Sequence, residues 1–449
     1  MNILTRLNRK AKRQIASECS PAAILGSAAS KAAGSINALF ERVSDPRELS
    51  KTAYSLSAIL ATRLVGAILG AQSMRALNEC LNTDAAAAFV FSLCGIAVGP
   101  GQMLPHGDTI NNLLMRLKPS ELEGVVADMA KMAVRLKRCF RFRGMLAIAI
   151  DATQLFSFKK RHCAHCLTRE HKGGPIDYFH YALEAKMLCG GDGGTVLSVA
   201  TEFIENPDGE FDKQDCELKA AYRLLPRIKQ IFPRAKICII GDALYAGAPF
   251  FGLCKQLGFE YIVRFKEGSM PSLAAEFEAL LGLQEKEKPS ELASNGTVSE
   301  RSRYISAIEH GGHELSIARM DCQEEGKPPG SFAYIASMPI SSDDEGKQIV
   351  GMGRKRWKIE NEGFKSQKHD GMHLEHAFSL NYNAMKCHYL LIQLAHYIWQ
   401  LALEGLKKIY AGTKSACQLR CELAEPVRDA GAERAFAARS PPEPVQAAA

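Results

Sequence analysis

The chain is short of the features that would place it in a membrane or outside the cell. Its longest apolar stretch, Ala85 to Val98 (AAAAFVFSLCGIAV), is too short to span a bilayer and reads as a buried helix. The N-terminus, MNILTRLNRKAKRQ, is basic with no apolar segment behind it, so a secretory signal is not expected. There is no internal repeat. The 14 cysteines form no disulfide-dense frame; Cys94, Cys139, Cys238 and Cys254 fall within apparent helices and strands, where reduced thiols act as small hydrophobes. These absences exclude a membrane span and a disulfide scaffold, and leave a cytoplasmic protein as the expectation.

What is present fits a soluble globular chain: 449 residues, 47% hydrophobic and 23% charged. That length suits two to three domains with a sizeable core. The formal net charge of +7 is compatible with a polyanionic partner without requiring one.

Along the chain, residues 1–45 form a basic Ala/Ser-rich lead-in, read as a flexible arm in which Lys10, Lys12 and Arg13 are available to phosphates. Residues 46–143 follow helical spacing and predict an all-helical domain, expected to bind DNA although no recognition-helix pattern stands out, with Asp108 as one N-cap and Pro119-Ser120 starting another helix. At Gly144 the pattern changes. MLAIAI is a short apolar run ending at Asp151, YFHYALEAKML and GTVLSVATEFI follow, then a polar helix, and AKICIIG ends at Asp242. This predicts an α/β core with a mixed sheet over 144–266. Residues 267–345 alternate and turn at Asn295-Gly296 and Gly311-Gly312, predicting a β-rich insertion. Residues 346–413 return to helix and carry RWKIENEGFKSQK, and 414–449 read as a disordered tail.

Three acids stand out. Asp151 and Asp242 each end an apolar strand, the end of an open α/β sheet where ligands bind. Oxygen donors on neighbouring strands suit Mg²⁺ or Mn²⁺ with a phosphate substrate. Either Asp alone reads as readily as a turn cap. Glu360 lies on the later helix, with Arg356 four residues before it on the same face.

The segments AIAIDATQLF, KQDCELKAAYRLL, IIGDALYA and RWKIENEGFKSQKHDGMHLEHAF together resemble the DDE transposases of bacterial insertion sequences. The branch is the one whose last acid lies in a Tyr-Arg-Glu-Lys helix signature. The resemblance runs from about Pro105 to about Gln400 and implies an RNase H-like core. It puts Asp151, Asp242 and Glu360 on the metal-binding triad, holding two Mg²⁺ or Mn²⁺ ions. It puts Arg356 on the signature Arg, which contacts DNA phosphate. Double-stranded DNA, both element ends and target, is the implied partner, bound by a homodimer on paired ends in the nucleoid. Implied too is hydrolysis to free 3′-OH ends followed by their joining to target DNA. The signature Tyr would fall at Gly353, where it is absent. The signature Lys would fall at Gln367, and Lys368 comes one residue late, as for a helix with one inserted residue. Lys365 and Lys368, with Lys159 and Lys160 after the first acid, are the further expected DNA contacts. An RNase H-like nuclease that never joins strands, or a transposase-derived DNA-binding protein, would share these residues.

Between the first strands lies RHCAHCLTREH. Cys163 and Cys166 have zinc-ligand spacing and His171 offers a third donor, but a second paired-cysteine motif is absent, and a loop of incidental soft residues is favoured over a Zn²⁺ site. Trp357 is expected to pack on the sheet.

Overall fold

The computed structural model describes residues 21–427, apart from 82, 98, 100, 192–193, 208–212, 288–291, 295–297, 327 and 410–412. Lys10, Lys12 and Arg13, the Asn295-Gly296 turn and the end of the tail lie outside the described residues. The chain divides into two compact units, Met1–Val125 with Ser366–Ala449, and Val126–Lys365. The helices after Ser366 group with the N-terminal ones in the first of these units.

The first unit is helical. Helices Pro21–Ala33 and Ile36–Phe40 lie in the segment read as an arm, and Ala416–Ala424 lies in the segment read as a tail. The Leu56–Ile68 helix is buried at nearly every position, as an apolar-all-round helix must be. Arg63 within it is also buried and donates from Nε to His388 Nδ1 of the Tyr382–Ile409 helix at 3.0 Å. Its C-terminal carbonyls, Ala67 and Ile68, accept from Arg420 Nη1 at 3.1 and 2.8 Å. The Pro119–Arg135 helix starts where expected, whereas Gly107–Leu114 is capped by His106, not Asp108. Among the described residues no helix is long and apolar enough to cross a membrane.

Among the described residues the second unit is built on one 11-stranded sheet. Its strands are β1 (Arg141–Phe142), β2 (Met145–Phe158), β3 (Leu167–Glu170), β4 (Ile176–Cys189), β5 (Thr195–Ile204), β6 (Ile237–Gly241), β7 (Glu260–Arg264), β8 (Leu292–Ser294), β9 (Val298–His310), β10 (His313–Glu324) and β11 (Gly330–Ala336). β2 is central, antiparallel to β4 and parallel to β6. β5 pairs antiparallel with β4, and β7 parallel with β6. The order β5-β4-β2-β6-β7, two antiparallel strands on one side and two parallel on the other, is an RNase H-like core. The runs MLAIAI and ICIIG are buried at every residue, which is what strands covered on both faces require. Helix Glu217–Ile231 packs on β4 and β5, and Asp343–Arg354 packs on β6, β7 and β9 to β11.

The β-rich insertion is not a separate layer. β11 pairs with β7, and β10, β9 and β8 follow outward, so the insertion lengthens the same sheet. It begins with a helix, Pro271–Glu287, which the alternating pattern downstream did not announce.

A charged pair is sealed into this unit. Glu184 and Lys186, two residues apart on one face of β4, are both fully buried, with Nζ 3.7 Å from Oε2. Glu184 also accepts from Ser198 Oγ at 2.6 Å and from Thr201 Oγ1. Removing one member leaves a buried charge uncompensated, at a cost of ~3–5 kcal/mol. Lys186→Met should therefore lower the unfolding free energy measured by urea titration by about that amount, and adding Glu184→Gln should recover much of the loss. A single variant as stable as wild type would contradict this account.

Candidate active site

The register of β2 on β6 brings the two aspartates level. Residue n of β2 lies beside residue n+91 of β6, as Ala149 lies beside Ile240, and 91 residues also separate Asp151 from Asp242. Carrying the ladder two residues further sets both carboxylates on the same side. Asp151 keeps Oδ1 on its neighbour Ala152 N at 3.1 Å. Asp242 accepts from Leu244 N at 2.8 Å and so caps the short turn Ala243–Tyr245. That turn folds Tyr245 back onto the strand end; a Cβ at Gly241 would sit 2.7 Å from its ring, so this position needs glycine.

The third acid sits on an unusual element. The helix expected to run on through Glu360 ends at Arg354, and Ile359–Lys365 is wound as a π-helix. A π turn takes up one residue more than an α turn, the insertion that the late Lys368 suggested. Glu360 is exposed on this segment, whereas Ile359, Gly363 and Phe364 face inward. A Cβ at Gly363 would lie 3.2 Å from Lys186 Cδ, and Lys186 Nζ stands 5.6 Å from the Phe364 ring centre. The buried pair of β4 thus lies directly beneath the π-helix.

Arg356, just ahead of it, donates from Nη1 to Asp151 Oδ2 at 2.5 Å. Burial pushes the Asp151 carboxyl up to about 6; Arg356 opposes the shift, and the charges of Asp242 and Glu360 add to it. The three acids therefore share one electrostatic field. Their oxygen-only, partly buried donor set suits a hard divalent cation, and a cation at Asp151 Oδ2 has to displace Arg356.

A fourth carboxylate belongs to this group and escaped the sequence reading. Glu217 opens the Glu217–Ile231 helix and accepts from Tyr245 Oη at 2.6 Å. Burial pushes it up to about 7, the Tyr245 bond works against that, and Asp151 and Asp242 add to the rise. Its segment, KQDCELKAAYRLL, was noticed, but a Glu in the first turn of a polar helix looks like ordinary dipole compensation.

The remaining expected residues are more scattered. Lys159 pairs with Asp177 at 2.6 Å, while Lys160 and Lys365 are exposed. Trp357 is 51% exposed, not packed on the sheet, and the Arg356 guanidinium lies 5.6 Å from its ring centre. At Gly353 a side chain would run into the Tyr334 ring, so no tyrosine fits there. In the other unit Gln367 is buried and donates to Gln393 at 2.8 Å, and Lys368 pairs with Glu375 at 2.9 Å. His171 binds Asp177 at 2.8 Å and stands apart from Cys163 and Cys166.

Comparison with known proteins assigns most of the chain. Residues 145–398 match the family described as Transposase DDE domain, and residues 38–129 match the DDE_Tnp_1-associated family. No curated protein matches. Among solved structures, one similar chain is that of a "piggyBac transposase synaptic complex with hairpin DNA". It is 11% identical with a TM-score of 0.39, over 94% of this chain and 82% of that one.

Raised carboxyl pKa values have a defined sign. Asp151 titrates near 4 in the unfolded chain and at about 6 when folded, so its contribution is complete below pH ~4 and lost as pH rises through about 6. In metal-free buffer the stability advantage of Asp151→Asn over wild type should grow across that window, by on the order of 3 kcal/mol at most. Chemical denaturation at several pH values measures it, and an advantage that stays flat with pH would refute the assignment.

Proposed function

The chain belongs to the Transposase DDE domain family, and from that premise we propose that it binds the DNA ends of its own element, cuts them to free 3′-OH groups and joins these to target DNA. Asp151, Asp242 and Glu360 are the residues that would hold Mg²⁺ or Mn²⁺, two ions by the family resemblance. Bound there, divalent cations supply a nucleophile at neutral pH and neutralise charge at the attacking and leaving oxygens. The chain's own groups do the positioning. Asp151 and Asp242, fixed to adjacent parallel strands, cannot drift apart to relieve their repulsion. Arg356 neutralises Asp151 in the free protein and turns to a DNA phosphate when Asp151 is otherwise engaged. Glu217, raised to about 7 by burial, is only partly ionised near neutral pH, which limits the charge the fourth carboxyl adds beside the other three. Lys159, Lys160, Lys365 and Lys368 are further candidates for backbone contact, each phosphate bond adding to a salt-dependent affinity. A homodimer on paired ends, acting on nucleoid DNA in the cytoplasm, goes with this reading.

The observation that carries the proposal is the shared field of three acids, two of them level on neighbouring strands and the third on the π-helix beside them. The test is an assay on DNA carrying the element's own ends, with Mg²⁺ or Mn²⁺, comparing wild type with Glu360→Gln. Wild type should release 3′-OH ends and join them. The variant should bind the same DNA but lose more activity than the ~10–100-fold that losing an outer-shell partner costs a metal site. Undiminished cutting by the variant would remove Glu360 from the site. Cutting without joining by the wild type would favour an RNase H-like nuclease, and binding alone a DNA-binding derivative.

A further inference from the structure

We infer that this unit carries a second metal site, a structural zinc site made by His162, Cys163, Cys166 and His180. It is separate from the catalytic carboxylates and built from soft donors. Among the described residues these four are the one group of three or more metal-ligating side chains whose donor atoms all lie within 4.8 Å of one another. Three edges of the polyhedron are defined. Cys163 Sγ is 3.5 Å from Cys166 Sγ and 3.4 Å from His180 Nε2, and Cys166 Sγ is 3.7 Å from the same nitrogen. A tetrahedron with Zn–S of ~2.3 Å and Zn–N of ~2.0–2.1 Å has edges of roughly 3.4–3.8 Å. The three measured edges match it.

His162 supplies the fourth corner. Both its ring nitrogens are buried without a hydrogen-bond partner. A buried imidazole with two orphaned nitrogens is costly in a purely apolar setting. Its ring centre lies 5.0 Å from that of His180, and Phe156 and Phe158 pack against it. One metal bond removes half of that deficit. A disulfide does not explain the cluster, because both thiols are free and 3.5 Å exceeds a bond of ~2.05 Å.

Two thiolates with two imidazoles select zinc over the hard cations suited to carboxylates. Four protein ligands leave no open position, so the role is structural. Cys163 and Cys166 belong to the turn after β2, and His180 lies on β4, the partner of β2. The metal would pin that turn, and with it Lys159, Lys160 and Arg161, to the strand pair that carries Asp151. Binding converts two thiols to thiolates and releases their two protons to solvent.

The test is metal analysis of the full chain purified without chelators. One zinc ion per chain is expected in wild type and in His171→Ala, and near none in Cys163→Ser or Cys166→Ser. Cobalt(II) exchanged into wild type should give a thiolate-to-metal charge-transfer band and the strong visible bands of a tetrahedral ion. That reading needs no variant to fold, and it separates this site from the oxygen-only carboxylates. Wild type that holds no zinc and gives no such band with added cobalt would overturn the assignment. Zinc retained in a folded Cys163→Ser, Cys166→Ser double variant would overturn it equally.

Discussion

Like charges held side by side dominate this molecule. Asp151 and Asp242 are locked level by the ladder between β2 and β6, and Glu360 and Glu217 add to the same field. At ~4 Å two such charges repel by about 4 kcal/mol near a protein surface, more as water is excluded. Backbone pairing prevents the strands from moving apart, so the surroundings have to absorb the charge. Three devices do so: Arg356 on Asp151, the capping bond from Leu244 to Asp242, and the Tyr245 hydroxyl on Glu217. Each is a donor aimed at one carboxylate from an element adjoining the strand ends.

Beneath the acids the design is inverted. Glu184 stands opposite Asp151 in the β2–β4 ladder, yet it is fully buried and satisfied by Ser198, Thr201 and Lys186. Lys186 then meets Gly363 and Phe364 of the π-helix. A larger residue at 363 would push the lysine away, so the absence of a side chain lets the π-helix settle on the sheet. The π winding has a local meaning here. It changes which residues face inward, burying Ile359, Gly363 and Phe364 while leaving Glu360 exposed on the side of the site. A buried ion pair is poor evidence of stabilisation in itself. This one is better understood as fixing the height and register of the segment that carries the third acid.

Much of this was legible in the sequence because the relevant signals are local. An apolar run ending in Asp marks a buried strand with a carboxylate at its end, and two such runs located Asp151 and Asp242. Their shared register was readable only as a separation of 91 residues until the ladder gave that number meaning. The winding around Glu360 left one trace, the late Lys368, but which residues form the π turn was not legible, since α and π turns use the same residues and differ in hydrogen-bond partner. Glu217 was hidden because its local context, the first turn of a polar helix, is an ordinary place for an acid. Only the fold brings it to Tyr245 and the aspartates. His171 reads as a donor in the sequence for a similar reason: it is near the cysteines along the chain, but it goes to Asp177, and it is β4 that carries His180 back across the turn to them.

The two donor sets would also let one strand pair serve two metals. β2 bears Asp151 midway along and leads at its end into the turn holding His162, Cys163 and Cys166, while β4 contributes His180. Zinc binds most ligands more tightly than magnesium or manganese does, so an undivided cluster would fill with the wrong ion. Segregation by ligand type avoids this. Thiolates and imidazoles would draw zinc into a closed four-ligand site, whereas carboxylates alone would favour the hard cations. A thiol moved next to Asp151 would blur that distinction. A turn fixed by zinc and a carboxylate site left to the hard cations would then be compatible demands on the same pair of strands.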